Sequence, residues 1–476
     1  MLLTSITPKP LLWPSLWIAL TLATLVLLPS HGAFGEDLVS VYQNARDNDP
    51  ILAAAQASFA ATRERVPQAR ARLLPNVTGS ANRSETTRDL PGATLATGQA
   101  IPSEKFFSHG WNAQLRQSLF DMPSWFALGG AKASVRAAEF ELEAQRQDLI
   151  VRVLQAYLNV LRAQDRLDTT NAEVTAVQRQ LEQVQQRFEV GLVAITDVLE
   201  SQAAFDNTEV RRIQAISDLE IAFETLTTLT GSSFERLDRL SETLPIVNPD
   251  PFDESAWVDT ALSSNLAIRA AAEQLAASRK DVNSKRSEHL PTIAATATQS
   301  HNVSGGANFF NSDTTDTTVY GVQITMPIYA GGLTRSRNRE SSARVTQAEE
   351  QLRNQQLTVT RDTRNLFLSV TTDVVRVKAR LRAIKSAQSA LDATETGYEV
   401  GTRNIVDVLQ AQQRLFGSQF DYADSRYNYV LNLMRLRQAT GGLSATDLEQ
   451  LNLFTDAENP VVRIFSLTGR QPSSGG

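Results

Sequence analysis

Cysteine is absent from this 476-residue chain. That excludes disulfides, thiol catalysis and thiolate metal sites, and it removes the acceptor for a lipid-anchored N-terminus. An oxidising compartment stays open, because an envelope protein can simply avoid thiols. Histidine is nearly as scarce: the four, at 31, 109, 289 and 301, are too scattered for a metal site, and nothing in the chain implies a cofactor. No nucleophile–base pair or ligand cluster supports an enzyme. An excess of basic charge is also missing. The formal charge of −6 and pI of about 5.5 argue against a nucleic-acid partner. Hydrophobic content of 42% allows a substantial core.

Apolar runs of membrane-spanning length are missing from all but the N-terminus. Lys9 precedes a nearly unbroken apolar stretch from Leu11 to Leu28, and Ala33-Phe34-Gly35 offers a small-x-small cleavage site. Residues 1–35 therefore read as a secretory signal. The stretch is also just long enough for a spanning helix, but Glu36-Asp37 opens a plausible mature protein. After it, the chain is either soluble or enters a membrane by strands.

Proline is lacking between Pro123 and Pro245 and between Pro327 and Pro460, and glycine is lacking from 131–190 and 333–396. Such stretches favour unbroken helix. Apolar residues step by three and four through Val174, Val177, Leu181, Val184 and Phe188, and again through Leu366, Val370, Val374, Val377 and Leu381, a coiled-coil period. A helix over 124–190 would be about 100 Å long. Helical stretches at 50–73 and 192–231 flank it, and 266–289 and 402–440 flank a second long helix at 333–400. The economical packing lays each pair of shorter helices end to end along its long one. Pro67 should kink its helix; Asn283 stands at the equivalent point of the other set.

The chain is one unit used twice. FEVGLVAITDVLESQ at 188–202 returns 210 positions later as YEVGTRNIVDVLQAQ at 398–412, and Leu74-Pro75 returns 216 positions later as Leu290-Pro291. The first repeat covers 36–236, with a β-hairpin at 76–122 and a helical hairpin at 124–231. A crossover at 237–256 leads to the second, 257–442, with a β-hairpin at 292–329 and a helical hairpin at 333–440. Residues 443–476 form a C-terminal segment at the equator, with the tail from Asn459 read as disordered. Gly191 and Gly401 break the chain at the helical-hairpin tips. Trp111 to Leu119 and Tyr320 to Met326 alternate apolar with polar, with less clear strands at 77–85 and 293–301 and loops at 86–108 and 302–317. Lipid on one face and water on the other gives that alternation, and so does a half-buried soluble sheet. Four strands cannot close a membrane barrel, so a spanning sheet requires several chains.

These residues resemble the TolC family of outer-membrane efflux and secretion channels. The similar runs are Ser118 to Met122 with Trp125, Arg187 to Val198, Pro327 to Gly332, Gly397 to Leu409, and Ala423 to Tyr429. The likeness covers roughly 37–455. It implies a mainly α protein with a membrane β-barrel portion. The homotrimer would form a 12-stranded barrel in outer-membrane lipid, continued by a 12-helix α-barrel through the periplasm. The periplasmic end would open when a periplasmic adaptor (membrane fusion) protein and an inner-membrane RND, MFS or ABC transporter dock. Conduction of drugs, small molecules or secreted proteins would be passive. The residues matching the family's gate latch are Thr196, Asp197, Tyr398 and Arg403, linked by an Asp–Tyr hydrogen bond and an Arg–Asp pair. Asp407 matches the acidic constriction ring, and Gln410 replaces the second aspartate of the best-known members. The tips at Gly191 and Gly401 would meet the adaptor. The alternative reading is a non-channel structural coiled-coil adaptor of the cell envelope.

Overall fold

The computed structural model describes residues 36–464, apart from 90, 93, 95, 96, 100–102 and 306–312. Residues 1–35, read above as a leader, and residues 465–476 lie outside the described residues. The chain opens with α1 (Leu38–Asn48), α2 (Pro50–Arg63) and α3 (Arg65–Ala71), then β1 (Asn76–Arg88) and β2 (Glu104–Phe120). The long α4 (Met122–Glu189) and its return α5 (Ile195–Thr230) follow, and β3 (Arg236–Leu240) ends the first copy. The second copy runs α6 (Glu254–Ser264), α7 (Leu266–Ser287), β4 (Thr292–Ser304), β5 (Asp313–Thr325), α8 (Leu333–Glu399) and α9 (Ile405–Ala439), and α10 (Ala445–Asn452) and β6 (Thr455–Val462) close the chain.

The helices start and stop where the sequence provides for it. Asp121 caps α4 by accepting the Ser124 N–H at 3.0 Å, with Pro123 in the first turn. Pro67 has no N–H for the Arg63 carbonyl, and the 50–73 stretch breaks there into α2 and α3, while α7 runs unbroken past Asn283. At 68 and 67 residues, α4 and α8 each reach about 100 Å. The shorter helices lie along them: α2, α3 and α5 on α4, and α7 and α9 on α8. α7 also packs on α4 and so joins the copies, its Ser284 hydroxyl donating to the Pro123 carbonyl at 2.9 Å.

The sheet has the order β1-β2-β4-β5, all antiparallel. Its centre, β2 against β4, is where the two hairpins meet. The strands are longer than the alternation predicts and run into both expected loops, because Thr- and Ser-rich sequence still supports extended backbone. Register puts Val77, Leu115, Ala297 and Tyr320 in one cross-sheet row on one face, and Ser80, Asn112, Ser300 and Thr317 in a row on the other. One face is apolar from Ile293 and Ile324 up to Trp111; the other is hydroxyl and amide. β1 and β5 each present a free edge among the described residues.

The main core lies neither in the sheet nor at the tips, but around the middle of α4. Leu149 to Leu161 pack there with Leu38 and Val41 of α1, Leu219 and Phe223 of α5, Tyr427 to Leu436 of α9, Leu448 of α10, Leu237 and Val461. A fully buried Phe such as Phe223 contributes roughly 1.5–3 kcal/mol. A two-stranded ribbon of β3 and β6 belts this region. The sequence reading lacks this ribbon and takes the chain from Asn459 onward as disordered. Instead Asn459 to Val462 belong to β6, and buried Arg463 binds Glu220 at 3.0 Å and also Glu224. The crossover likewise starts inside a strand. No helix among the described residues is long and apolar enough to cross a membrane.

Candidate pore gate at the helical tips

Both helical hairpins turn on a glycine with positive φ. Gly191 has φ 75° and Gly401 φ 79°, and in each case a Cβ would meet open space. The turns close the same way: the Leu192 N–H donates to the Arg187 carbonyl and the Thr402 N–H to the Gly397 carbonyl, both at 2.8 Å. Such bonds cap the last turn of α4 and α8. Below the turns the two hairpins share a small apolar cluster. Val184 of α4, Leu391 of α8, and Ile405, Val408, Ala411 and Leu415 of α9 are buried, with Val193 and Val198 of the first tip against them. Leu199, Val190 and Leu192 remain exposed.

Of the residues matched to the latch, Tyr398 packs on this cluster, and Thr196, Asp197 and Arg403 lie around it on the surface. Tyr398 reaches the cluster from the end of α8, with its hydroxyl oxygen buried and making no hydrogen bond. Within the chain Asp197 and Tyr398 form no hydrogen bond, although the carboxylate's charge acts on the hydroxyl. Burial pushes the Tyr398 hydroxyl up, Arg187 opposes this, and Asp197 pushes it further up. Arg187 is absent from the residues matched to the latch. Its guanidinium stands 5.2 Å from the centre of the Tyr398 ring, and only its place in the Arg187 to Val198 run hints at it. Thr196 is exposed and Asp197 half-buried in the first turn of α5, where its charge suits the helix N-terminus.

Arg403 does not pair with Asp197 within the chain. Its nearest carboxylate is Asp407, at 3.9 Å and one helical turn on. Asp407 also closes a capping box with Asn404, accepting the Asn404 N–H at 3.4 Å while its own N–H donates to Asn404 Oδ1 at 2.8 Å. Its Oδ2 serves both the cap and the approach to Arg403. Gln410, one turn further, is exposed. Among the described residues no group of three or more His, Cys, Asp or Glu side chains is set to hold a metal ion.

A polar network secures the belt region above the gate. Tyr427 donates to Asp165 Oδ2 at 2.6 Å, Arg239 binds Asp168 at 2.5 Å, and the Tyr157 hydroxyl donates to the Asp238 carbonyl at 2.5 Å. Burial pushes the Asp165 carboxyl up, against the lowering effects of Tyr427 and Arg239. Arg162 binds Asp424 at 2.5 Å and Asn428 at 3.0 Å, so most of the Ala423 to Tyr429 run serves to hold α9 against α4 and the ribbon.

A sheet with one apolar and one polar face, carried on paired helices about 100 Å long, suits a protein that enters a membrane by strands. The chain belongs to the family described as outer membrane efflux protein, whose model matches residues 41–232 and 257–442, the two copies in turn. It is 33% identical over 439 residues to outer membrane protein TolC of Vibrio cholerae serotype O1, covering 92% of this chain and 97% of that one. Alkaline protease secretion protein AprF of Pseudomonas aeruginosa is 28% identical over 441 residues, with 92% and 91% covered. Among solved structures, CusC superposes with a TM-score of 0.74 at 20% identity, covering 86% of this chain and 93% of that one. The outer-membrane channel OprN gives 0.71 at 20%, with 85% and 90% covered. The protein is thus an outer-membrane channel of the efflux and secretion class, its long helical part periplasmic, and its relatives are channels rather than enzymes.

Proposed function

We propose that three copies assemble into one conduit through the outer membrane and periplasm. The observation that carries this is the four-stranded sheet with one apolar face and free edges at both β1 and β5. An open edge facing lipid would leave backbone groups unpaired at several kcal/mol each. Joining β5 of one copy to β1 of the next removes every edge, and three copies of four strands give a 12-stranded barrel. The helices support the same closure. α5 exposes Leu199, Val210, Ile213 and Ile221, and α8 exposes Leu357, Leu368 and Val375, apolar residues left without neighbours in a single chain.

In this reading the pore is closed at the tips. Thr196, Asp197, Tyr398 and Arg403 form the latch, with Arg403 free to reach Asp197 of an adjoining chain. Asp407 supplies one carboxylate per copy to a ring that attracts cations and repels anions. With Gln410 in place of a second acid, the ring binds blocking divalent cations weakly. Docking of a periplasmic adaptor at the Gly191 and Gly401 tips, driven by an inner-membrane RND, MFS or ABC transporter, opens it. Transport through the conduit is passive, of small molecules or of proteins. Several relatives bear names of export, resistance or protease secretion, in keeping with either cargo. The test is native mass measurement of the detergent-extracted complex combined with planar-bilayer recording. The reading requires three chains and ion conductance; a monomer or dimer that conducts nothing would refute it.

A further inference from the structure

The polar face of the four-stranded sheet is almost free of charge. Over residues 76–86, 106–118, 292–304 and 315–325 it carries hydroxyls, amides, glycine and a few apolar side chains. Arg116 is the single ionisable residue on that face within those stretches. It stands four residues from Asn112 on β2 and so points the same way, and its row holds Asn76, Thr296 and Gly321, none of which can neutralise it. The side chain is exposed and makes no hydrogen bond or ion pair to another described residue. The fold of one chain makes no use of its charge.

Arg116 lies about 13 Å along the strand from the end of β2 at Phe120, close to where the sheet meets the helices. There it lines a hollow of about 320 Å³ together with Arg72, which ends α3, and Asp121. Asp121 is committed to α4, accepting the Ser124 N–H at 3.0 Å and the Ser124 hydroxyl at 2.6 Å. Two guanidinium groups against one carboxylate leave a positive excess at this level. The second copy does not repeat it. Asn76 pairs with Arg116, whereas the equivalent Thr292 pairs with Thr325. At the place of Arg72, two residues before the repeated Leu-Pro, stands Glu288, already bound by Lys285 at 3.2 Å and Arg337 at 3.3 Å.

Resting on the conduit reading above, we propose that Arg116 of each copy forms a positive ring on the lumen wall at the base of the barrel, drawing anions into a channel whose tips favour cations. The polar face lines the lumen because the apolar face takes the lipid. Arginine keeps its charge at any working pH, and rings of basic side chains select anions in pores. Asp407 and Arg116 then make two rings of opposite sign in series. The narrow acidic ring dominates while the tips are shut. Once they spread, Arg116 is the charged element left, and selectivity shifts toward anions. Its field reaches about 10 Å in 0.1 M salt and about 3 Å in 1 M.

The test exploits the lack of native cysteine, since Arg116→Cys gives the full chain a single thiol. Channels are recorded in planar bilayers in KCl gradients near ~0.1 M, in an Asp407→Asn background that removes the charge at the tips. The thiol is modified with water-soluble methanethiosulfonates bearing either an ammonium or a sulfonate group. The ammonium adduct should restore the anion preference of the Arg116 parent. The sulfonate adduct should lower the chloride-to-potassium permeability ratio about fivefold, a difference that shrinks in 1 M salt. Reaction with no change in the ratio overturns the ring and leaves the conduit standing. A thiol that ignores both reagents but takes a membrane-soluble maleimide faces lipid, which also overturns the ring. A parent channel that conducts nothing refutes the conduit itself, and the ring with it.

Discussion

The Arg187 guanidinium, near the end of α4, lies 5.2 Å from the centre of the Tyr398 ring, near the end of α8. One tip of the duplicated unit therefore grips the other through a cation over an aromatic face, worth about 0.5–1 kcal/mol where partly exposed. The Tyr398 hydroxyl adds no hydrogen bond to that grip. Arg187→Gln is expected to raise the basal open probability of the isolated channel in bilayer recordings. Tyr398→Phe keeps the ring and should raise it less. The reverse order would mean that the hydroxyl, not the ring, carries the latch.

Asp407 combines a charge with a cap, and two substitutions separate them. Asp407→Asn keeps an acceptor for the Asn404 N–H but removes the charge, so cation selectivity should fall while stability holds. Asp407→Ala should lose both, with about 1 kcal/mol of helix-start stability gone as well. Reversal potentials in asymmetric salt and urea unfolding read the two effects independently. Unchanged selectivity in both variants would remove Asp407 from the ring.

The belt should be sensitive to pH through Asp165. Its folded-state pKa is raised above the ordinary 3.8, chiefly by burial. The folded protein therefore holds the proton more tightly than the unfolded chain. That contribution is fully present below 3.8 and is lost as pH rises through the raised value. Glu173 behaves alike, raised above 4.5 by burial against Arg211. Asp165→Asn keeps an acceptor for Tyr427 and should flatten the fall in stability across mildly acidic pH. Urea midpoints measured across that range check this; an unchanged slope would assign the dependence elsewhere.

Two positive-φ glycines of the second copy, one at each end of α9, differ in what surrounds them. At Gly441, φ is 72° and a Cβ would sit 2.5 Å from the Ser264 carbonyl oxygen; at Gly401, φ is 79° but the space is open. Gly441→Ala should cost about 2–4 kcal/mol, combining left-handed strain with a backbone clash. Gly401→Ala should cost about 1 kcal/mol, the strain alone. Chemical unfolding of the two variants gives the comparison.

The long helices, their glycine turns and the paired β-hairpins are legible in the sequence because each rests on local signals: absent breakers, a sustained heptad-like period, and alternation along the strands. The duplication then fixes equivalent positions such as Gly191 and Gly401. What escapes is non-local. β3 and β6 are five and eight residues long and pair between distant parts of the chain, so neither displays a pattern of its own. The meeting of β2 with β4 joins the two copies, as does the packing of α7 on α4, and neither has a local signal. At the gate Tyr398 joins the apolar cluster, and within one chain Arg187 lies nearest its ring while Arg403 approaches Asp407; pairings between chains are set by assembly. Polar side chains near a turn can pair in several ways, and no local pattern in the sequence decides among them.

The proposed reading rests, for both the barrel and the gate, on three chains sharing one pore. Wild-type and Asp407→Asn chains co-expressed in equal amounts, and recorded one channel at a time, put it to the sharpest trial. If three chains line one constriction, channels should fall into about four selectivity classes, holding none, one, two or three variant chains, in binomial proportions. Two classes alone, matching the parents, would mean that each pore belongs to a single chain and would contradict the shared conduit.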